Sequence, residues 1–367
     1  MATLGPNDLK QIALPAGFDT AYLSQLTLKD GRTYDEYLND LASALSIANQ
    51  GLMADPLVAS LCSTTDEASL EYQIGVSNGF QPHTEYGLPD GKRAVTTGTM
   101  LPLIGYDRML DWTWDYLRSA RSAQLDANVD SAIADLKDKF QNAVLSRLFK
   151  GTYDAVGASG KSMPLADAGT ADSAYIPVNR PERASAFASS HDHIAPYNGI
   201  SQAGLEAAVA NLWEHGYDAP FTLLIAQADT GSWSNTTNVT GWVKRGATLI
   251  RYGTQTDIAA VDSQFIGAIE TSVYGEVQVI ANARIPTAFW GVYKSYGAGD
   301  ARNPLKIRQS ADYGLGAVLM SGRQFPIKQF PLEGAMLFLE FGVGVADRVG
   351  AAVYKNTAGA WSEPSIA

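Results

Sequence analysis

Three short stretches of this 367-residue chain hold residue types that could do chemistry. His191, Asp192 and His193 stand together, and two imidazoles at i and i+2 on a strand project to the same side, so they can share a metal ion. A third ligand has to come from afar, with His215 or Glu214 as the candidates. The chain has only four histidines, so the expectation is an exposed loop and no metal site. AVGASGKS at 155–162 ends in Gly160, Lys161 and Ser162 like a phosphate-binding loop, but Ala155 stands where that pattern has its first glycine. Such a loop also needs a strand before it and a helix after it, so that backbone N–H groups cradle phosphate. Here a long helical pattern precedes, and Pro164 follows; a mobile surface loop is expected. GVGVADRVG at 342–350 and GLGAVLMSG at 314–322 lack dinucleotide-loop spacing and sit late among strands, where glycine serves close packing.

Other reactive constellations are missing from the sequence. There is no H-E-x-x-H and no cysteine pair. The lone Cys62 rules out an intramolecular disulfide. Trp112, Trp114 and Tyr116 cluster with only Arg108 and Arg118 nearby, which suits a packing anchor better than a base-stacking platform. With 38 acidic and 27 basic residues the net charge is −11, the wrong sign for a protein whose main task is gripping nucleic acid. At 46% hydrophobic and 18% charged, the chain can bury a core and is not a disordered polymer. MATLGPNDLKQ lacks the basic start and apolar stretch of a secretory signal. No apolar run reaches the ~20 residues of a membrane span. Synthesis and folding in a cytoplasm are expected, so the sequons at Asn235 and Asn238 are chance matches.

The elements that must position these residues can be read from periodicity. Residues 1–32 form an extended arm. A helix over 34–50 follows, capped by Thr33 and Glu36, faced by Leu38, Leu41, Ala42 and Leu45, and stopped at Gly51. Over 66–105, strand-like pieces flank a turn-rich tip at Pro89, Asp90 and Gly91, with little to build a core. YDRMLDWTWDYL reads as a helical turn or two. From Leu125 to Lys150, Val129, Ile133, Leu136, Phe140, Val144 and Leu148 recur at helical spacing and face a core, and Gly151 ends the run. Residues 151–200 are loop-rich. A helix over 201–215 is capped by Ser201 and faced inward by Leu205, Ala208, Val209 and Leu212, with Gly216 as its stop. Strands are expected at 221–226, 277–282, 288–296, 316–322, 335–343 and 351–356. The fold class is α+β.

Set in this order, the pieces resemble the major capsid proteins of tailed phages, the Hong Kong 97-like fold. EYGLPDGKRAVTTGTMLPLIGYDRMLDWTWDYL is similar to that family's extended loop leading to its spine helix. KDKFQNAVLSRLFKGT is similar to the end of that helix. YGEVQVIANARIPTAFWGVYKSYG through KIRQS is similar to its late strand pair. The resemblance implies an N-terminal arm and helix (1–65), an extended hairpin loop (66–105), a peripheral domain with the spine helix (106–197 and 326–367) and an axial domain (198–325). It implies self-assembly through hexamers and pentamers into an icosahedral shell around viral DNA, with no catalysis, no cofactor and no membrane. Portal and decoration proteins are the partners it implies. Residues 1–65 are too few for a fused scaffolding segment, so a separate scaffolding protein is expected.

The extended loop is the assembly site in this reading, through Ile74, Val76, Phe80, Tyr86, Lys92 and Arg93. Some relatives join a loop lysine to a neighbour's asparagine. Lys92 and Asn356 are the positions open to that here, and the expectation is no crosslink. Two other readings predict different observations. An encapsulin-like compartment shell would enclose a cargo enzyme. A cytosolic α/β enzyme would show a concave pocket lined by convergent polar groups.

Overall fold

The computed structural model describes residues 27–73, 96–158, 160–167, 175–180, 187, 191–244, 265–321 and 332–366. Two compact units emerge, one from Met1–Ala54, Leu103–Gln141 and Gln309–Phe341, the other from Asp55–Pro102, Asn142–Arg308 and Gly342–Ala367.

In the first unit, the helix Tyr34–Leu52 opens on a capping box. Glu36 N–H donates to Thr33 Oγ1 at 3.3 Å, and Thr33 N–H donates to Glu36 Oε2 at 3.0 Å. The helix runs one residue past Gly51 before Met53 caps it. Tyr34, Tyr37, Leu41, Leu45, Ala48 and Leu52 are buried, whereas Leu38 is half-buried and Ala42 exposed. The inward face is therefore rotated toward the two tyrosines. Both meet Trp112 edge-on, at ring-centroid distances of 6.2 and 6.3 Å.

Trp112 belongs to a strand, Ile104–Thr113, where a helical turn was expected for YDRMLDWT. All ten residues pair antiparallel with the long strand Leu332–Val345, from Ile104 opposite Phe341 to Thr113 opposite Leu332. Burial alternates: Leu110 and Trp112 are buried, while Met109, Asp111 and Thr113 are exposed. A period of two, with large residues at 106, 110 and 112, was mistaken for one turn of helix. The short helix Trp114–Ser119 then starts where Tyr116 N–H donates to Thr113 Oγ1.

The helix Ser122–Leu148 follows, 27 residues and about 40 Å long at 1.5 Å per residue. Leu125, Val129, Ala132, Leu136, Phe140, Val144 and Leu148 are buried along one stripe. Ile133 is only half-buried, because Ala132 occupies the inward place on that turn. Phe140 packs on Phe341 at 5.1 Å. The strand Ala317–Ser321 pairs antiparallel with the same long strand, on the side away from Ile104–Thr113. Its free side meets the first helix: Asn49 Nδ2 donates to Ala317 O and Ala317 N–H donates to Asn49 Oδ1, both at 2.9 Å. Gly316 makes that approach possible, since its φ of +130° and its contact with Asn49 leave no room for a Cβ.

The second unit is organised on a seven-stranded mixed sheet. Its order is Ile194–Tyr197, Ala351–Asn356, Phe289–Tyr293, Phe221–Ala226, Gly275–Asn282, Phe265–Thr271 and Trp242–Lys244. FTLLIA is buried at every position, as a central strand covered on both faces should be. The helix Gln202–Trp213, capped by Ser201, buries Leu205, Ala208, Val209 and Leu212 against this sheet together with Trp233 and Trp290. Gly216 ends the region with a φ of +98°. Cys62–Thr65 pairs parallel with Leu305–Gln309 in a separate ladder. Gly342 and Gly344 lie so close to Pro102 O and Leu101 that no Cβ would fit, which is the close packing expected of that glycine run.

Candidate functional site

The expected assembly residues Ile74, Val76, Phe80, Tyr86, Lys92 and Arg93 lie outside the described residues. The stem that carries them is described. Ser69–Gln73 pairs antiparallel with Thr96–Met100, Ser69 opposite Met100 and Gln73 opposite Thr96, so the chain leaves and returns side by side. Two strands alone are marginal in water, so the stem needs an anchor. Leu101, fully buried, donates its N–H to Ala68 O at 2.8 Å and accepts from Arg308 Nη1 at 2.9 Å. The buried Thr99 hydroxyl donates to Lys161 O and accepts from Met163 N–H. The segment expected as a mobile phosphate-type loop is thus a hairpin, Asp154–Val156 with Gly160–Ser162, that holds the root of the stem. Ser162 is buried and the described residues that follow it directly, 163–167, form no helix, unlike the strand–loop–helix that cradles phosphate.

Among the other candidates, Asn356 Oδ1 accepts from Gly199 N–H at 2.6 Å. Cys62 is fully buried, and burial pushes its thiol well above the ordinary range, which makes it inert. One buried side chain was missed altogether. Asn303 Nδ2 donates to Ala59 O, Cys62 O and Gly297 O, and its Oδ1 accepts from Tyr296 N–H, so one amide ties its own loop to the helix Pro56–Leu61 and the strand after it. An Asn-Pro pair at a turn was the only local signal for it.

The histidines differ most from expectation. His193 is fully buried and His215 nearly so, rather than lying in an exposed loop. The strand Ile194–Tyr197 starts immediately after His193, and His215 follows the helix Gln202–Trp213, so the edge of the sheet meets the end of the helix here. Their Nε2 atoms are 3.0 Å apart, and His191 Nε2 is 3.1 Å from that of His215. Glu214 Oε1 and Asn211 Oδ1 lie 3.0 and 2.9 Å from His191 Nε2. Burial, then His215 and His191, hold His193 well below the usual imidazole range.

No protein-family model matches the sequence, and no curated protein matches it either. Solved structures do. A chain of Mycobacterium phage Patience superposes with a TM-score of 0.63 at 22% identity, over 96% of this chain and 97% of that one. The chain has the fold of that phage chain. Structures below a TM-score of 0.5 include the capsid of a native GTA particle (0.45, 14% identity, 83% of this chain and 91% of that one). The SrpI encapsulin of Synechococcus elongatus PCC 7942 stands at the same score (12% identity, 83% and 88%). Along the chain, the paired stem Ser69–Gln73 and Thr96–Met100 precedes the long helix Ser122–Leu148. No described helix is long and apolar enough to cross a membrane.

Proposed function

We propose that this protein is the major capsid protein of a tailed virus, assembling with copies of itself into an icosahedral shell around the viral genome. The observation that carries this reading is the near end-to-end match to a phage chain, over 96% of one and 97% of the other. The stem at 69–100 adds support. Its described strands form a two-stranded ladder held at the root by Thr99, as befits a segment that finds its packing on another subunit. The residues carried on that stem, Ile74 to Arg93, are the proposed inter-subunit contact, and residues 198–325 the proposed axial domain. The net charge of −11 suits a wall that encloses DNA without gripping it. The role is structural and not enzymatic. A separate scaffold, a portal and decoration proteins are the proposed partners, with assembly in the host cytoplasm.

The test is microscopy of the purified chain, expressed with its scaffold and alone at high concentration. Closed shells or regular capsomers are expected. A monodisperse monomer under all these conditions would end the reading. Shells that enclose a protein cargo and no DNA during infection would point to a compartment instead.

A further inference from the structure

We propose that His191, His193 and His215, completed by the Glu214 carboxylate, bind one divalent transition-metal ion of the Zn2+ class as a structural staple. The inference goes beyond the capsid reading and does not depend on it.

The tautomers follow from the partners. His193 Nδ1 is 2.9 Å from Ala351 O, and His215 Nδ1 is 2.7 Å from Val178 O. A carbonyl oxygen can only accept, so each Nδ1 carries a hydrogen. Each ring, when neutral, therefore presents a lone pair at Nε2. These two lone pairs face one another across 3.0 Å, and the third imidazole brings its own Nε2 to 3.1 Å from His215. All three ligand atoms lie within 4.8 Å of one another. Lone pairs converging on one point repel unless a cation sits among them. Imidazoles pinned through Nδ1–H to backbone carbonyls, with Nε2 turned to a common centre, have the outer-shell arrangement that orients metal ligands.

Size and charge select the ion. Zn–N bonds of about 2.0–2.1 Å place tetrahedral ligand atoms about 3.3 Å apart, so the two spacings at His215 need open by a few tenths of an ångström and the wider span of 4.8 Å must close by about 1.5 Å. Three nitrogens disfavour Mg2+ and Ca2+, which take oxygen ligands. Glu214 Oε1, 3.0 Å from His191 Nε2, supplies a fourth ligand and a negative charge against the nearby Arg348. Phe187 stacks on His191 and tilts against His215, with centroids 4.7 and 4.9 Å away, and walls one side with a ring. His191 and Glu214 side chains are each 26% exposed, which leaves a path for entry. The metal would fasten the start of the edge strand Ile194–Tyr197 to the end of the helix Gln202–Trp213, through side chains whose backs already rest on the strand Ala351–Asn356 and on residue 178.

The experiment uses the untagged full-length chain, stripped with EDTA and dialysed against Zn2+ or Mg2+. Elemental analysis should find one Zn2+ per chain and no retained Mg2+. The Zn2+ form should melt at a higher temperature than the stripped one. Co2+ should replace Zn2+ and give the visible absorption of a four-coordinate site. His191→Ala, at the half-exposed edge of the cluster, and Glu214→Gln should keep the wild-type circular dichroism and weaken Zn2+ binding by at least about tenfold. Wild-type protein that takes up no Zn2+, or whose melting is unmoved by it, overturns the proposal in favour of a shared proton among the rings. Equal uptake by the folded variants overturns it too, by placing the ion elsewhere.

Discussion

A single amide, Asn303, shows how much stability one residue can hold outside any regular element. Its four hydrogen bonds join the loop at Tyr296 and Gly297 to the helix residue Ala59 and the strand residue Cys62, in a place where water does not reach. Asn303→Ala removes all four bonds, although Ala59 O still accepts from Gly299 N–H and Gly297 O from Asp300 N–H. The expected loss is about 2–4 kcal/mol, read as a lower midpoint in a urea melt with an unchanged slope; a loss below about 0.5 kcal/mol would show that the loop is held by something else. Such a residue is hardly legible in sequence, because Ala59 and Cys62 are remote along the chain and only folding brings them to it. The histidines make the same point. The i, i+2 spacing of His191 and His193 was visible, but burial could not be seen, and without burial an exposed loop was the natural reading. His215 enters only because the chain turns at Gly216 and the helix before it lies on the sheet.

Elements with a long, regular repeat were legible; those defined by a distant partner were not. The buried stripe of Ser122–Leu148 repeats over seven turns, and Ser201 capping with its inward quartet followed from local chemistry. Ile104–Thr113 was misread because its ten-residue partner lies more than 200 positions on, and the two-residue alternation covers only its last few side chains clearly. The difference can be tested within that strand. Met109→Lys should change stability by no more than about 0.5 kcal/mol, since the side chain is exposed, whereas Leu110→Lys buries a charge beside Trp112 and should unfold the unit. Equal tolerance of the two would contradict the alternation. On the long helix, Leu136→Asp places an unpaired carboxylate in the core, and the protein should be recovered as insoluble material; a soluble variant that still assembles would put Leu136 on the wrong face.

At the scale of the whole molecule, folding and assembly should be separable. Replacing residues 80–97 with a short Gly/Ser linker removes what the stem presents but not its anchored root, because Leu101 and Thr99 keep their partners. The monomer should keep near-normal circular dichroism and a cooperative melt, and sedimentation should find no shells. An unfolded monomer would assign the segment to the chain's own core, and shells would make it dispensable. Denatured particles should run as one band near 39 kDa, with no ladder that depends on Lys92. A chain that gathers in many copies also needs a defence against joining its copies the wrong way. Among the described residues no strand pairs with the outer side of Ala317–Ser321, and an uncovered ladder there would be a template for any passing strand. The Asn49 amide occupies its first rung as a neighbouring peptide group would, one donor and one acceptor, while being too short to be extended. It works as a chain terminator for the sheet: Asn49→Ala should leave the fold intact and divert the protein into amorphous or fibrous aggregates as concentration rises, because growth by edge pairing then has an open end.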